Sequence, residues 1–314
     1  MATGNRRKYN LAIEQAEREY AEANFCKASQ EKIQRMSEAQ ILFVMAQRHL
    51  YGENPDWNKM TIEEKAPFGW LRPQYIFLET TMTGRWDYWI SFRAHCKAGS
   101  GEKFIEGREI PQMQFLSTGQ GNNIAKEMLL LCLQDAPGAY AHSRYEMFEM
   151  FIDWLLYSFG CSEVKELPKR ITKEMQGFWY KEFRPQLLLI YPDDYLGELA
   201  STEKVAKSSA YFPTPMNIVD VMTRMTMEHN EATKYSTVND PCLGSGRMLL
   251  HASNYSLRLY GQDINKMIHK VSLVNGYLYM PWAVEIDDDT NNVLNKLAEK
   301  YNKVVKRNEE NTGS

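Results

Sequence analysis

Apolar residues recur at helical spacing through residues 1–50, at Leu11, Ile13, Ala16 and Tyr20 and again at Ile33, Met36, Ile41, Phe43 and Met45. Glu, Lys, Arg and Gln fill the positions between, which predicts helix with a solvated polar face. Asn54-Pro55 and Pro67 then break the pattern, so residues 52–73 read as loop. Beyond them, alternation predicts short strands at Tyr75–Leu78, Tyr88–Phe92 and Phe104–Ile105, with a Gly99-Ser100-Gly101 turn between the last two. Helical spacing returns over Asn123–Leu133 and Arg144–Phe159, divided by Ala136-Pro137-Gly138. It returns again over Ile171–Phe183, ahead of Pro185. Leu187–Ile190 either completes that helix or forms a brief strand. Met147, Met150, Trp154 and Leu155 read as core.

The last third changes character. Pro213 and Pro215 stiffen the entry to an apolar helix, Ile218–Met227. A strand at Tyr235–Val238 follows, then Asp240-Pro241-Cys242-Leu243-Gly244-Ser245-Gly246, and a helix with Met248, Leu249, Leu250 and Ala252 on its apolar face. A second strand, Leu257–Tyr260, ends at Gly261-Gln262-Asp263. A helix over Lys266–Tyr277 and an acidic, then helical, stretch over Asp287–Lys306 complete the pattern. The polar residues from Lys306 onward read as a disordered tail.

This β-turn-α-β arrangement is organised around its first turn. Gly244 and Gly246 let backbone approach a ligand where a Cβ would clash. Amides opening the following helix face that ligand, and an acid about 20 residues on, Asp263, can accept hydrogen bonds from ribose hydroxyls. A nucleoside-bearing ligand is therefore expected here, because the glycines lie between a strand and a helix with the acid at the second strand's tip.

The same residues resemble a known family. DPCLGSG at Asp240–Gly246 is similar to the S-adenosylmethionine (SAM) motif of the N6-adenine DNA methyltransferases of the type I restriction-modification kind. Upstream stand Tyr211-Phe212-Pro213-Thr214-Pro215, and downstream Gly261-Gln262-Asp263-Ile264. Asp194-Tyr195-Leu196-Gly197-Glu198-Leu199 is similar to the segment that joins that family's helical region to its methyltransferase domain. The resemblance covers roughly residues 120–280. Two letters depart from it: Leu243 stands where the family carries Cys, with Cys242 one place earlier, and Pro213 interrupts the Phe-to-Thr spacing. The resemblance implies SAM as cofactor, with Phe212, Thr214, Asp240, Pro241, Gly244, Ser245, Gly246 and Asp263 lining its site. Asp240 would hold the methionine amino group and Asp263 the ribose. The fold class expected is α/β: a mostly helical N-terminal region with a small β patch (residues 1–119), and a helical region (120–200). An abbreviated Rossmann-like methyltransferase unit (201–305) and a polar tail (306–314) follow.

Composition narrows the picture only modestly. A net charge of −3 across 314 residues gives no global positive field for nucleic acid. A local patch would have to provide it, and Arg85, Trp86, Tyr88, Trp89, Phe92, Arg93, His95 and Lys97 mix the aromatic and basic residues that stack bases and hold phosphate. The five cysteines, Cys26, Cys96, Cys132, Cys161 and Cys242, are widely spaced and odd in number. They read as thiols in a reducing cytoplasm rather than as a disulfide framework or a zinc site. The six histidines show no metal-ligand spacing. No apolar run approaches the roughly 18 residues of a membrane span, and no apolar segment follows the basic residues near the start.

Methyl transfer to adenine requires more than a donor site. The exocyclic amine is a poor nucleophile, and the enzyme must flip the base, stack it and accept its hydrogen bonds. In the resembled family an Asn/Asp-Pro-Pro-aromatic segment does this, downstream of the SAM motif. Here residues 264–314 contain one proline, Pro281, in Tyr279-Met280-Pro281-Trp282, without the pair or the preceding acid or amide. Asn54-Pro55-Asp56-Trp57 and Tyr191-Pro192-Asp193-Asp194-Tyr195 carry some of the letters outside the right context. No catalytic residue is therefore assigned. The sequence reads as a SAM-binding, methyltransferase-like protein that lacks autonomous catalysis or takes its catalytic half from a protein partner, with DNA reached through that partner or the aromatic patch. The alternative is a non-enzymatic regulatory or interaction module of a nucleic-acid-processing complex.

Overall fold

The structure, a computed structural model, describes residues 15, 40, 43–52, 55–115, 123–202 and 211–312. Most of the predicted N-terminal helix lies outside these residues. After a helical stretch over 43–51, the elements run α1 (Ile62–Lys65), α2 (Leu71–Met82), α3 (Arg85–Lys97), α4 (Gly101–Ile105), α5 (Asn123–Gln134) and α6 (Arg144–Phe159). Next come α7 (Lys173–Glu182), α8 (Pro185–Ile190), α9 (Tyr195–Thr202), α10 (Met216–Thr226) and α11 (Glu231–Lys234). The chain ends with β1 (Thr237–Asp240), α12 (Arg247–Ala252), β2 (Arg258–Gly261), α13 (Lys266–Tyr279), a 3-10 turn (Pro281–Ala283) and α14 (Asp288–Thr312). They fall into two compact units that interleave along the chain. One comprises Met1–Thr83 and Thr118–Ala210, the other Gly84–Ser117 and Tyr211–Ser314.

The first unit is helical among its described residues. Its axis is α6, begun by a Ser143–Glu146 capping box. Met147, Met150, Trp154 and Leu155 are buried in the core, as their spacing implied. Trp154 packs against Phe151, Trp179 and Phe183, and the Trp179 indole donates to the Cys132 carbonyl at 2.8 Å. At the C-terminus of α6, Arg72 donates to the Phe159 and Gly160 carbonyls at 2.6 and 2.9 Å, satisfying helix-end acceptors. Asp194 caps α9, its carboxylate accepting from Gly197 N at 2.9 Å.

The small β patch is not formed. Tyr75–Leu78 lies inside α2, Tyr88–Phe92 inside α3 and Phe104–Ile105 inside α4. Among the buried residues of α3, Trp86, Trp89, Phe92 and Cys96 recur every three or four positions. Dense aromatics made that period look like alternation. The start of α2 falls in the stretch read as loop, where Pro73 sits in the first helical turn and costs no hydrogen bond. Leu187–Ile190 is helical, within α8, and the backbone from Lys306 continues α14 to Thr312 instead of becoming a disordered tail.

The second unit holds the sheet. β1 and β2 are parallel, with Val238 opposite Leu259 and Asp240 opposite Gly261, and α12 connects them. α12 packs on both strands and lies between α10 and α13. The hairpin α3–α4 belongs to this unit. Trp86 donates to the Tyr277 carbonyl at 2.9 Å, and Trp89 to that of Glu285 at 2.6 Å. α14 packs along α3, α4 and α11, and its Asn295 accepts from Arg258 of β2 at 2.8 Å, bringing the C-terminal helix against the second strand.

Arg85 ties the hairpin to the sheet layer. Its guanidinium is fully buried, donating from Nε to the Pro111 carbonyl at 2.8 Å and from Nη1 to Ser253 Oγ and the Tyr279 carbonyl at 2.8 and 2.7 Å. Nη2 donates to Asn254 Oδ1, and the cation lies 5.1 Å from the Trp282 ring centroid. Trp86, Tyr88, Trp89 and Phe92 are buried with it, while Arg93 pairs with Glu285 and Asp287. Most of the aromatic-basic patch proposed as a nucleic-acid surface is therefore core and ion pair: Trp86, Tyr88, Trp89 and Phe92 have no exposed faces on which bases could stack, and only His95 and Lys97 of that set are exposed.

Candidate functional site

The turn after β1 folds back on the end of β2. Gln262 N donates to the Asp240 carbonyl at 3.1 Å and Leu243 N to the Gln262 carbonyl at 2.9 Å. A side chain closes the loop: Asp263 Oδ2 accepts from Gly244 N at 2.8 Å, while Oδ1 accepts from Asn265 N at 2.8 Å. The acid at the second strand's tip is thus fixed directly against the glycine turn. Each of its oxygens retains a further lone pair. Asn265 in turn caps α13, accepting from Met267 N and Ile268 N.

Positive φ at Gly244 (56°) and Gly246 (89°) lets the turn close. A Cβ on Gly244 would lie 3.1 Å from the Tyr211 ring, so the glycine admits an aromatic side chain hard against the backbone. Tyr211 is held there by donating to Ser245 Oγ at 2.7 Å. Ser245 is buried, and its carbonyl accepts from Asn275 of α13 at 2.9 Å. Asp240 Oδ1 accepts from Cys242 N at 3.0 Å, and Cys242 is an exposed free thiol.

Of the residues expected at the site, Asp240, Gly244, Gly246 and Asp263 converge on one turn. Pro241 is exposed on its outer side. Ser245 faces inward and positions Tyr211. Thr214 is anchored through its carbonyl, which accepts from Arg247 Nη1 at 2.9 Å, and Phe212 stands 87% exposed. Sequence reasoning missed the roles of Tyr211, Asn265 and Asn275. Tyr211 lay inside a quoted motif, but nothing in its spacing showed that its ring would rest on Gly244.

Behind the turn, His251 on α12 is buried, with Nδ1 3.4 Å from Asp220 of α10. Burial holds its pKa below the usual histidine value, against the opposing pull of Asp220. It is a packing residue joining the two helices. Among the described residues no group of three or more His, Cys, Asp or Glu side chains forms a metal site, and no helix is long and apolar enough to cross a membrane.

With this geometry in place, comparison with known proteins is informative. Residues 193–307 match the family model described as N-6 DNA methylase. That segment is similar to the N-6 DNA methylase family. No curated protein and no solved structure matches the chain. The matched segment takes in α9 through most of α14, and therefore β1, the glycine turn, β2 and Asp263. The hairpin α3–α4 lies outside it, although it packs in the same unit as β1 and β2.

Proposed function

We propose that the second unit is a Rossmann-like module that binds S-adenosylmethionine at the turn 240–246. The observation that carries this reading is the 2.8 Å contact between Asp263 and Gly244. It sets an acid with spare acceptor capacity beside a close-approach backbone turn, the pairing a ribose next to a compact polar tail requires. Gly244 and Gly246 let the turn close tightly enough to hold Asp263 against it, and Asp263 accepts from ribose hydroxyls. Asp240, whose Oδ1 accepts from Cys242 N, accepts from the methionine ammonium through its second oxygen. Pro241 shapes the turn, Ser245 positions Tyr211, and Phe212 with Thr214 covers the methionine end. When bound, SAM supplies an activated methyl group on a sulfonium. The residues named bind and orient it, and none of them acts on an acceptor.

Transfer to adenine N6 is assigned to a protein partner that presents the base and contacts DNA. Residues 264–314 carry no Asn/Asp-Pro-Pro-aromatic segment, and the exposed aromatics that would stack a base are absent from α3. A second reading, a SAM-sensing module that regulates another complex, is favoured by the strands themselves. Parallel sheets covered on both faces read as continuous apolar runs. Here Thr-Val-Asn-Asp and Arg-Leu-Tyr-Gly alternate, leaving Thr237, Asn239 and Tyr260 exposed on one face. Equilibrium dialysis with labelled SAM, followed by transfer to adenine-containing DNA, separates these readings. Retention of label with no transfer by the chain alone is expected, and Asp240→Ala should lower retention at least about tenfold, the loss of one charged hydrogen bond. Unaided transfer would contradict the assignment to a partner, and unchanged retention by Asp240→Ala would remove that residue's role.

A further inference from the structure

Gly244, Gly246 and Gly261 each leave a gap at the candidate site where another residue would carry a Cβ, and the gaps are filled differently. A Cβ on Gly246 would meet the Met280 methyl at 3.4 Å, and one on Gly261 would meet Leu243 at 2.6 Å. Met280 and Leu243 are buried, so those two glycines make room for core. Gly244 differs. The side chain in front of it is Tyr211, whose ring lies 3.1 Å from the Cβ position. Tyr211 is only half-buried and begins the segment 211–215, which leads into α10 without helix or strand.

Side-chain hydrogen bonds fasten this strap to the turn. Tyr211 donates to Ser245 Oγ at 2.7 Å, and Arg247 Nη1 donates to the Thr214 carbonyl at 2.9 Å. Pro213 and Pro215 stiffen the strap on either side of Thr214. None of residues 211–215 is buried, so the strap is fastened at the surface rather than rooted in the core. Ser245, by contrast, is buried, and its carbonyl accepts from Asn275 of α13 at 2.9 Å. The strap therefore closes on a fixed point.

We infer that Tyr211 is a latch over the donor site: with its ring on Gly244 the turn is closed, and SAM enters when the ring swings away. The inference rests on the SAM reading given above and adds how access to that site is controlled. The reason is steric. A glycine in such a turn leaves a face free of Cβ, so that ligand atoms can come close to the backbone. At Gly244 the Tyr211 ring already takes that face. Ligand and ring compete, and the apparent affinity is the affinity of the open turn scaled by the fraction of chains in which it is open. The hydrogen bond to Ser245 lowers that fraction. Opening breaks it and moves a half-buried side chain, leaving Met280 and Leu243 in place.

Calorimetric titration of the full chain with SAM, comparing wild type with Tyr211→Ala and Tyr211→Phe, provides the test. Tyr211→Ala clears the face of Gly244 and should lower the SAM dissociation constant at least about fivefold, the scale of one hydrogen bond. Tyr211→Phe keeps the ring, loses the hydrogen bond and should fall between the two. Far-ultraviolet circular dichroism should be unchanged in both, because residue 211 lies outside the core. A ring that formed part of the occupied site would give the opposite sign. Equal or weaker binding by Tyr211→Ala, beside a wild-type chain that binds, overturns the latch and leaves the SAM reading standing. No binding by either chain overturns the SAM reading and the latch with it.

Discussion

Asp263 and Arg85 show how much of this molecule depends on single polar side chains. Asp263 accepts two backbone N–H groups and so joins the end of one strand to the turn of the other. Arg85 gathers two carbonyls, a hydroxyl and an amide in the core. A lysine there could not reproduce the planar fork, and acceptors would remain buried without donors. Arg85→Lys should therefore destabilise the second unit by about 3 kcal/mol in urea unfolding; a loss within about 0.5 kcal/mol would show that the network is dispensable. His251 makes a second prediction. Burial makes it harder to protonate in the folded than in the unfolded chain, so the unfolded state binds more protons as pH falls. Stability should decline as pH drops below about 6.5 and continue to decline until the lowered folded-state pKa is passed. His251→Gln should flatten that slope, as measured by urea melts at about pH 7.5 and 5.5.

At the scale of elements, the sheet was legible in the sequence and the hairpin was not. Both strands and α12 lie within one or two residues of where hydrophobic pattern and turn chemistry put them, because glycines and an acid at fixed spacing punctuate that stretch. The segment 84–117 was misread because Trp86, Tyr88, Trp89 and Phe92 supply apolar letters at both periods, leaving periodicity no power to choose. Its partner was also beyond local reading, since Arg85 and Trp86 bond to Ser253, Tyr277 and Tyr279, far along the chain. The hairpin packs its buried side chains against the matched segment. A fragment of residues 211–314 should therefore lack a cooperative thermal transition, and co-expression with residues 84–117 should restore one. Cooperative unfolding of the fragment alone would show the hairpin to be an accessory.

For the whole molecule, two units share one chain that crosses between them repeatedly. The linear pattern revealed where elements lie, but not that Gly84–Ser117 joins the last third, because such pairings are decided by long-range burial. The methylase match covers the strands and the site, yet the sheet has two strands and one polar face. The function proposed for this unit is that of a donor-binding module. Amide hydrogen exchange should report it: SAM should slow exchange over residues 237–265 and leave residues 144–159 unchanged, since a ligand stabilises what it contacts, by about 2.7 kcal/mol at a hundred times its dissociation constant. Uniform protection across both ranges would mean that the site is not confined to the turn.

The central claim is that the Asp263–Gly244 pair builds a SAM site. A calorimetric titration of the full chain with SAM, set beside Asp263→Ala, tests it most directly. Saturable binding by the wild-type chain with one site per chain, lost or weakened at least about tenfold in Asp263→Ala, is the predicted result. No heat of binding from a folded wild-type chain, or equal affinity in the variant, would contradict it.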